Sequence, residues 1–217
     1  MPSDLSFRQR VLRRIKYQAL GMEDRGREVV IGVGLPKTAT TSLCDAFEAL
    51  GYRAIHCPPI AEFQGGQVGL RWPWWMAGYN AMADLPAAVL YRELADRFPN
   101  ARFVLTLRNM DSWLSSSQKH YSREHHEETV ARGGFQSSVD LYCHMYGCPW
   151  FDRDSFAAAY QRHESEVREF FKGSPRFTTL DIEAGDGWQE LAGFLAMEVP
   201  NKPFPRSNVW SSNHEER

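Results

Sequence analysis

A chain of 217 residues with 43% hydrophobic content is long enough for one α/β domain with a sizeable core. A formal net charge of −2 excludes a globally basic nucleic-acid binder but leaves room for a local basic site that takes a polyanionic ligand. The cysteines form no CxxC pair and no apolar run can span a bilayer, so zinc-ribbon, thioredoxin-like and membrane-spanning classes fall away; a cytoplasmic protein with reduced thiols and no signal peptide is expected.

Residues 4–20 read as a basic amphipathic helix, with Leu5, Val11, Leu12, Ile15 and Leu20 on its apolar stripe and Gly21 at its end. Glu28–Val33 is rich in Val and Ile and reads as a buried strand. A helix follows over Thr40–Leu50, then a short strand at Arg53–His56 and another at Ala81–Asp84. Pro86 is placed to open a helix that runs to about Arg97. Beyond it come a strand at Phe103–Leu107, a helix at Asp111–Tyr121, a long charged helix at Phe156–Phe171, a strand at Phe177–Ile182 and a helix at Trp188–Leu195.

Strands alternating with helices predict a central parallel sheet flanked by helices. Right-handed crossovers then gather the loops that follow the strands along one edge, where ligands bind. The expected division is an N-terminal helix over 1–27, one domain over 28–210 and a tail over 211–217. Two stretches, 58–80 and 122–150, show no clear period and are expected to act as lids or binding loops.

The sharpest local signal is Ile31-Gly32-Val33-Gly34-Leu35-Pro36-Lys37-Thr38-Ala39-Thr40-Thr41-Ser42-Leu43. It lies between a strand and a helix, where backbone N–H groups and the positive helix end hold anions. Lys37 adds a charge, and Thr38, Thr40, Thr41 and Ser42 add hydroxyls. It is no Walker A loop, because Pro36 stands where the second Gly belongs, and Gly32-x-Gly34 leads to Lys37 rather than to a third Gly.

This loop resembles the 5′-phosphosulfate loop of the sulfotransferases, nearest the short bacterial, fungal and flatworm branch. The resemblance implies a three-layer, P-loop NTPase-like fold. It also implies 3′-phosphoadenosine 5′-phosphosulfate as donor, its bisphosphate PAP as product, no metal, and donor contacts from Pro36 to Ser42. Ala39 stands where Gly is typical and is read as having helical dihedrals.

Leu107-Arg108, with Ser116 eight residues on, is similar to the family's 3′-phosphate site; Arg suits a phosphate because it donates two parallel bonds. Asn109-Met110 replaces the common Asp-Pro there without adding a competing negative charge. The strand ends in Arg108 rather than in an acid of Walker B type, so no magnesium site is evident.

Met82-Ala83-Asp84-Leu85-Pro86 resembles the catalytic segment, which makes Asp84 the general base and Lys37 the group that steadies the leaving phosphate. Burial is expected to raise the pKa of Asp84, whose other reading is a helix cap. His56 is expected to line the acceptor pocket. Trp74, Trp75 and Tyr142, with Trp72, Phe135, Tyr146, Trp150 and Phe151, are expected to wall a flat apolar acceptor. Gly187 and Trp188, in Gly-Asp-Gly-Trp, are expected to shape a purine pocket, with a core position as the equal alternative for Trp188. The expected partner is a small, aromatic or polycyclic alcohol or phenol. The competing readings are a nucleotide kinase or NTPase, and a protein that binds phosphoadenosine nucleotides without turnover.

Overall fold

The computed structural model describes residues 28–64, 66–124, 127 and 136–207; the helix expected over 4–20 and the tail over 211–217 lie outside them. Five parallel strands form the central sheet: β1 (Val30–Gly32), β2 (Ala54–His56), β5 (Ala81–Ala83), β6 (Arg102–Thr106) and β7 (Phe177–Leu180). Their order is β2-β5-β1-β6-β7, which puts β1 at the centre. Register is direct: Ile31 sits opposite Met82 on one side and Phe103 on the other.

The side chains of β1, β5 and β6 alternate between two cores, as a strand period of two demands. Val30, Ala81, Ala83 and Val104 face a core built with α1 (Thr40–Ala49) and, at the C-terminal end of the described chain, α6 (Trp188–Leu195). Ile31, Met82, Phe103 and Leu105 face the opposite core, made with α2 (Tyr91–Arg97) and α5 (Arg153–Phe170). Both faces of the sheet are thus covered. The result is the three-layer α/β arrangement expected, consistent with a P-loop-like fold.

A third core joins α3 (Met110–His120), α4 (Gln136–Tyr146) and α5 around Trp113 and Phe156. Asn109 caps α3, its side chain accepting from Asp111 N and Ser112 N at 3.1 and 3.2 Å. Asp152 does the same for α5 through Ser155 N at 2.8 Å. Asn109 therefore does the capping work expected of an Asp at that place.

Three local expectations need correction. The segment after Asp84 is not yet a regular helix: Leu85–Pro86 is a cis peptide, Val89 N and Leu90 N both return to Pro86 O, and α2 begins only at Tyr91. Pro86 therefore closes a turn instead of opening a helix. The stretch 58–80 contains an antiparallel hairpin, β3 (Ala61–Gln64) with β4 (Gln67–Leu70), and a 3-10 helix at Trp74–Gly78. The stretch 122–150 contains α4, whose Leu141, Met145 and Tyr146 are buried at helical spacing.

Candidate active site

The strands run parallel, so the loops after β1, β2, β5, β6 and β7 meet at one edge of the sheet, and a cavity of about 1080 Å³ opens there. The loop after β1 is its floor. Gly34 has no room for a side chain, since a Cβ would run into the Thr106 hydroxyl and come within 2.8 Å of the Thr106 carbonyl. Gly32 is equally tight against Ala83 and Leu43, at 2.7 Å each. The two glycines let β1 lie close to its neighbours while the loop passes over Thr106.

Thr38 is buried beneath that loop. Its hydroxyl donates to Leu35 O at 2.6 Å and meets the Thr106 hydroxyl at 2.6 Å, so it closes the turn and leaves the cavity wall to its neighbours. Pro36, Lys37, Ala39, Thr40, Thr41 and Ser42 do line the cavity. From behind, His163 donates through Nε2 to Val33 O at 2.7 Å, and Trp113 donates through Nε1 to Pro36 O at 2.8 Å. Burial holds His163 below the usual histidine value, so it stays neutral in this role.

Lys37 and Ala39 both adopt positive φ, 71° and 69°. Ala39, with ψ 31°, is left-handed and marks the start of α1. This corrects the reading of Ala39 as helical: the position demands the conformation for which Gly is the usual choice, and Ala adopts it at a cost. The first turn of α1 carries no acidic residue and its N-cap makes no side-chain hydrogen bond, and Thr40, Thr41 and Ser42 of that turn line the cavity. Burial pulls the Lys37 ammonium below the ordinary lysine value; Asp84 opposes that pull and Arg108 adds to it.

Asp84 ends β5, buried and with φ 77°. Its Oδ2 accepts from the Thr40 hydroxyl and lies 3.1 Å from His56 Nε2, while Oδ1 accepts from Leu85 N at 2.7 Å. Thr40 gives its only hydroxyl proton to Asp84, so its oxygen accepts from His56 Nε2, at 3.1 Å. His56 Nδ1 lies 3.3 Å from the Cys57 sulfur. Burial pushes the Asp84 carboxyl up, but His56, Thr40 and the Leu85 N–H together outweigh it, and the net displacement is downward. The expectation of a raised pKa is thereby corrected: the bonds to the charged form win over desolvation. Burial, with the Asp84 charge adding to it, pushes Cys57 and Tyr142 each up to about 12.

Arg108, just beyond β6, and Ser116, on α3, both line the cavity. Ser112, which the sequence did not single out, holds Arg108 Nε at 3.0 Å. Tyr160 brackets the Arg108 backbone, its hydroxyl donating to Arg108 O at 2.8 Å and accepting from Arg108 N at 3.1 Å.

The remaining wall differs most from expectation. His56 and Tyr142 line it; Trp74 and Trp75 do not, and remain 49% and 38% exposed. Trp72 packs on Phe98, Tyr146 and Phe151 join the third core, Trp150 is exposed, and Phe135 lies outside the described residues. Their places are taken by Pro58, Pro59, Phe63, Tyr121 and Leu141, with Arg71 and His120. Gly187 and Trp188 do not line the cavity either. Trp188 is buried against Phe204 and donates to Lys202 O at 2.6 Å, while Gly187 N donates to Glu190 at 2.8 Å. Ile182, Glu183, Arg206 and Ser207 form that end of the cavity instead. Ser207 reaches it because its N–H donates to Ser42 Oγ at 2.9 Å and its hydroxyl bonds Asp45, which ties the C-terminal strap to α1.

No helix among the described residues is long and apolar enough to cross a membrane. A family model described as "Sulfotransferase domain" matches residues 29–213. The chain is also similar to the "Ava biosynthesis cluster protein M" of Aspergillus versicolor, 26% identical over 214 residues, covering 81% of this chain and 79% of that protein.

Proposed function

Because the chain belongs to the sulfotransferase family, we propose that it moves the sulfuryl group of 3′-phosphoadenosine 5′-phosphosulfate to an alcohol or phenol oxygen of a small, largely apolar acceptor. The observation that carries this reading is the Asp84 carboxylate hydrogen-bonded to Thr40, the first residue of the helix that opens from the phosphate loop. A proton acceptor and an anion cradle thereby share one helix turn.

In the proposed reaction the acceptor oxygen forms a bond to sulfur while the bond from sulfur to the bridging phosphate oxygen breaks. The hydroxyl proton passes to Asp84. His56 and the Thr40 hydroxyl hold the carboxylate in place, and the Leu85 N–H fixes its other oxygen. Lys37 and the uncapped N–H groups of α1 take the charge that develops on the leaving phosphate. Arg108 and Ser116 serve the nucleotide's second phosphate, and Arg206 brings a further cation to that end.

The acceptor half of the cavity is walled by Pro58, Pro59, Phe63, Leu85, Tyr121 and Tyr142, which favours a flat apolar body. The relative's place in a biosynthesis cluster is in keeping with a small-molecule acceptor.

The test is incubation with the sulfate donor and a panel of phenols and alcohols, with EDTA present, read by mass spectrometry. Adenosine 3′,5′-bisphosphate and a sulfated acceptor, formed in equal amounts, are expected. Calorimetry showing no binding of the bisphosphate, or turnover of ATP in place of the sulfate donor, would overturn the reading.

A further inference from the structure

Each nitrogen of the Arg108 guanidinium has a partner within the protein. Nε donates to Ser112 Oγ at 3.0 Å, Nη1 donates to Lys37 O at 2.9 Å, and Nη2 pairs with Glu183 Oε1 at 2.7 Å. The other Glu183 oxygen accepts from the Ser112 hydroxyl at 3.1 Å. The turn that presents Glu183 is tied to itself: Asp181 N donates to the Asp186 carboxylate at 2.8 Å, Ala184 N to the Asp181 carboxylate at 3.0 Å, and Asp186 N to Asp181 O at 3.0 Å. Glu183 lines the same cavity as Arg108 and Ser116, with its side chain 42% exposed.

A carboxylate held by one guanidinium nitrogen and one hydroxyl occupies the place of two phosphate oxygens. Resting on the donor assigned above, we infer that Glu183 is the resident counter-anion of the second-phosphate seat and determines how tightly the seat holds a 3′-phosphorylated nucleotide. A 3′-phosphate reaching Arg108 must displace Glu183 or sit beside a like charge. A nucleotide phosphorylated only at the 5′ position leaves the pair undisturbed. When the bisphosphate product departs, Glu183 closes on Arg108 again, so the cation is never left unpaired in a half-buried wall. Asn109 and Met110 themselves bring no competing negative charge; the competitor comes from the loop after β7, 75 positions beyond Arg108.

The experiment is calorimetric titration of adenosine 3′,5′-bisphosphate and of adenosine 5′-monophosphate into the wild type, Glu183→Gln, Glu183→Ala and the double variant Glu183→Gln/Arg108→Ala. Both single variants are expected to bind the bisphosphate about five- to ten-fold more tightly than the wild type, as removal of a partly exposed like charge implies, with the monophosphate unchanged. The gain should vanish when Arg108 is absent. A wild type that prefers the bisphosphate, paired with variants that bind it equally or more weakly, overturns the inference alone and makes Glu183 a prop for Arg108. A wild type and single variants that all bind the two nucleotides equally remove the donor reading and the inference together.

Discussion

His56 Nε2 and Asp84 Oδ2 stand 3.1 Å apart, with the Thr40 hydroxyl bonded to both. The imidazole comes from the end of β2 and the carboxylate from the end of the adjacent β5, where His56 and Ala83 are in register. The pairing of two neighbouring parallel strands therefore sets the contact. Thr40 then connects the pair to the loop after β1.

Asp84→Asn keeps the shape and removes the proton acceptor. Turnover is expected to fall by about 10²–10⁴, the usual weight of general-base catalysis, with bisphosphate affinity within about two-fold of the wild type. Steady-state rates combined with calorimetry check both halves. Parallel loss of affinity would mean that the carboxylate organises the loop and has no chemical role.

The downward displacement of the Asp84 pKa makes a linkage prediction. A folded value below the ordinary 3.8 means that the stability contributed by the ionised carboxylate is fully present above that value and fades as pH falls through the lower folded value. The urea midpoint of the wild type should therefore fall relative to that of Asp84→Asn as pH drops below about 4. A wild type that gains on the variant as pH falls from about 5 would show that the carboxyl is raised after all.

Ala39 at φ 69° makes a prediction of sign. In a right-handed helical position, Ala→Gly costs about 1 kcal/mol. In a left-handed one, Gly relieves about 1–2 kcal/mol of backbone strain and returns part of it through unfolded-chain entropy. Ala39→Gly is thus expected to leave stability unchanged or raise it by up to about 1 kcal/mol. Urea unfolding checks it, and a loss near 1 kcal/mol would refute the left-handed geometry.

Tyr142 lines the cavity and Trp75 does not. Tyr142→Ala should raise KM for an aromatic acceptor about ten-fold, the order expected for a lost aromatic wall, while Trp75→Ala leaves it within about two-fold. Donor KM should move in neither. Steady-state kinetics with one acceptor and both variants suffices, and the reverse order would place the acceptor on the Trp74–Trp75 side.

Local chemistry made much of the site legible. Gly32, Gly34, Lys37 and Thr40 carry their meaning in their spacing, since a strand, a tight turn and a helix end follow one another within a dozen residues. Asp84 and Arg108 stand out through the resemblance of their segments to the sulfotransferases, and a parallel sheet brings the ends of their strands to one edge. Asp84 was legible as a residue, but the direction of its pKa was not, because His56 lies 28 positions away and reaches it only through the pairing of β2 with β5.

The aromatic wall shows the same division. Trp74, Trp75, Tyr142 and Trp188 share one composition signal, yet one of the four lines the cavity and one is buried in a core. In a segment without a period, nothing local says which way a ring turns; packing against distant residues such as Phe98 or Phe204 decides it. The amino-acid order by itself determined the alternation of elements, the glycine- and threonine-rich loop after β1 and the charged residues at the strand ends, because each depends on neighbours in the chain. Tertiary structure alone decided which rings line the cavity, how Ala39 turns, and that Glu183 meets Arg108, because those depend on contacts between residues far apart in the chain.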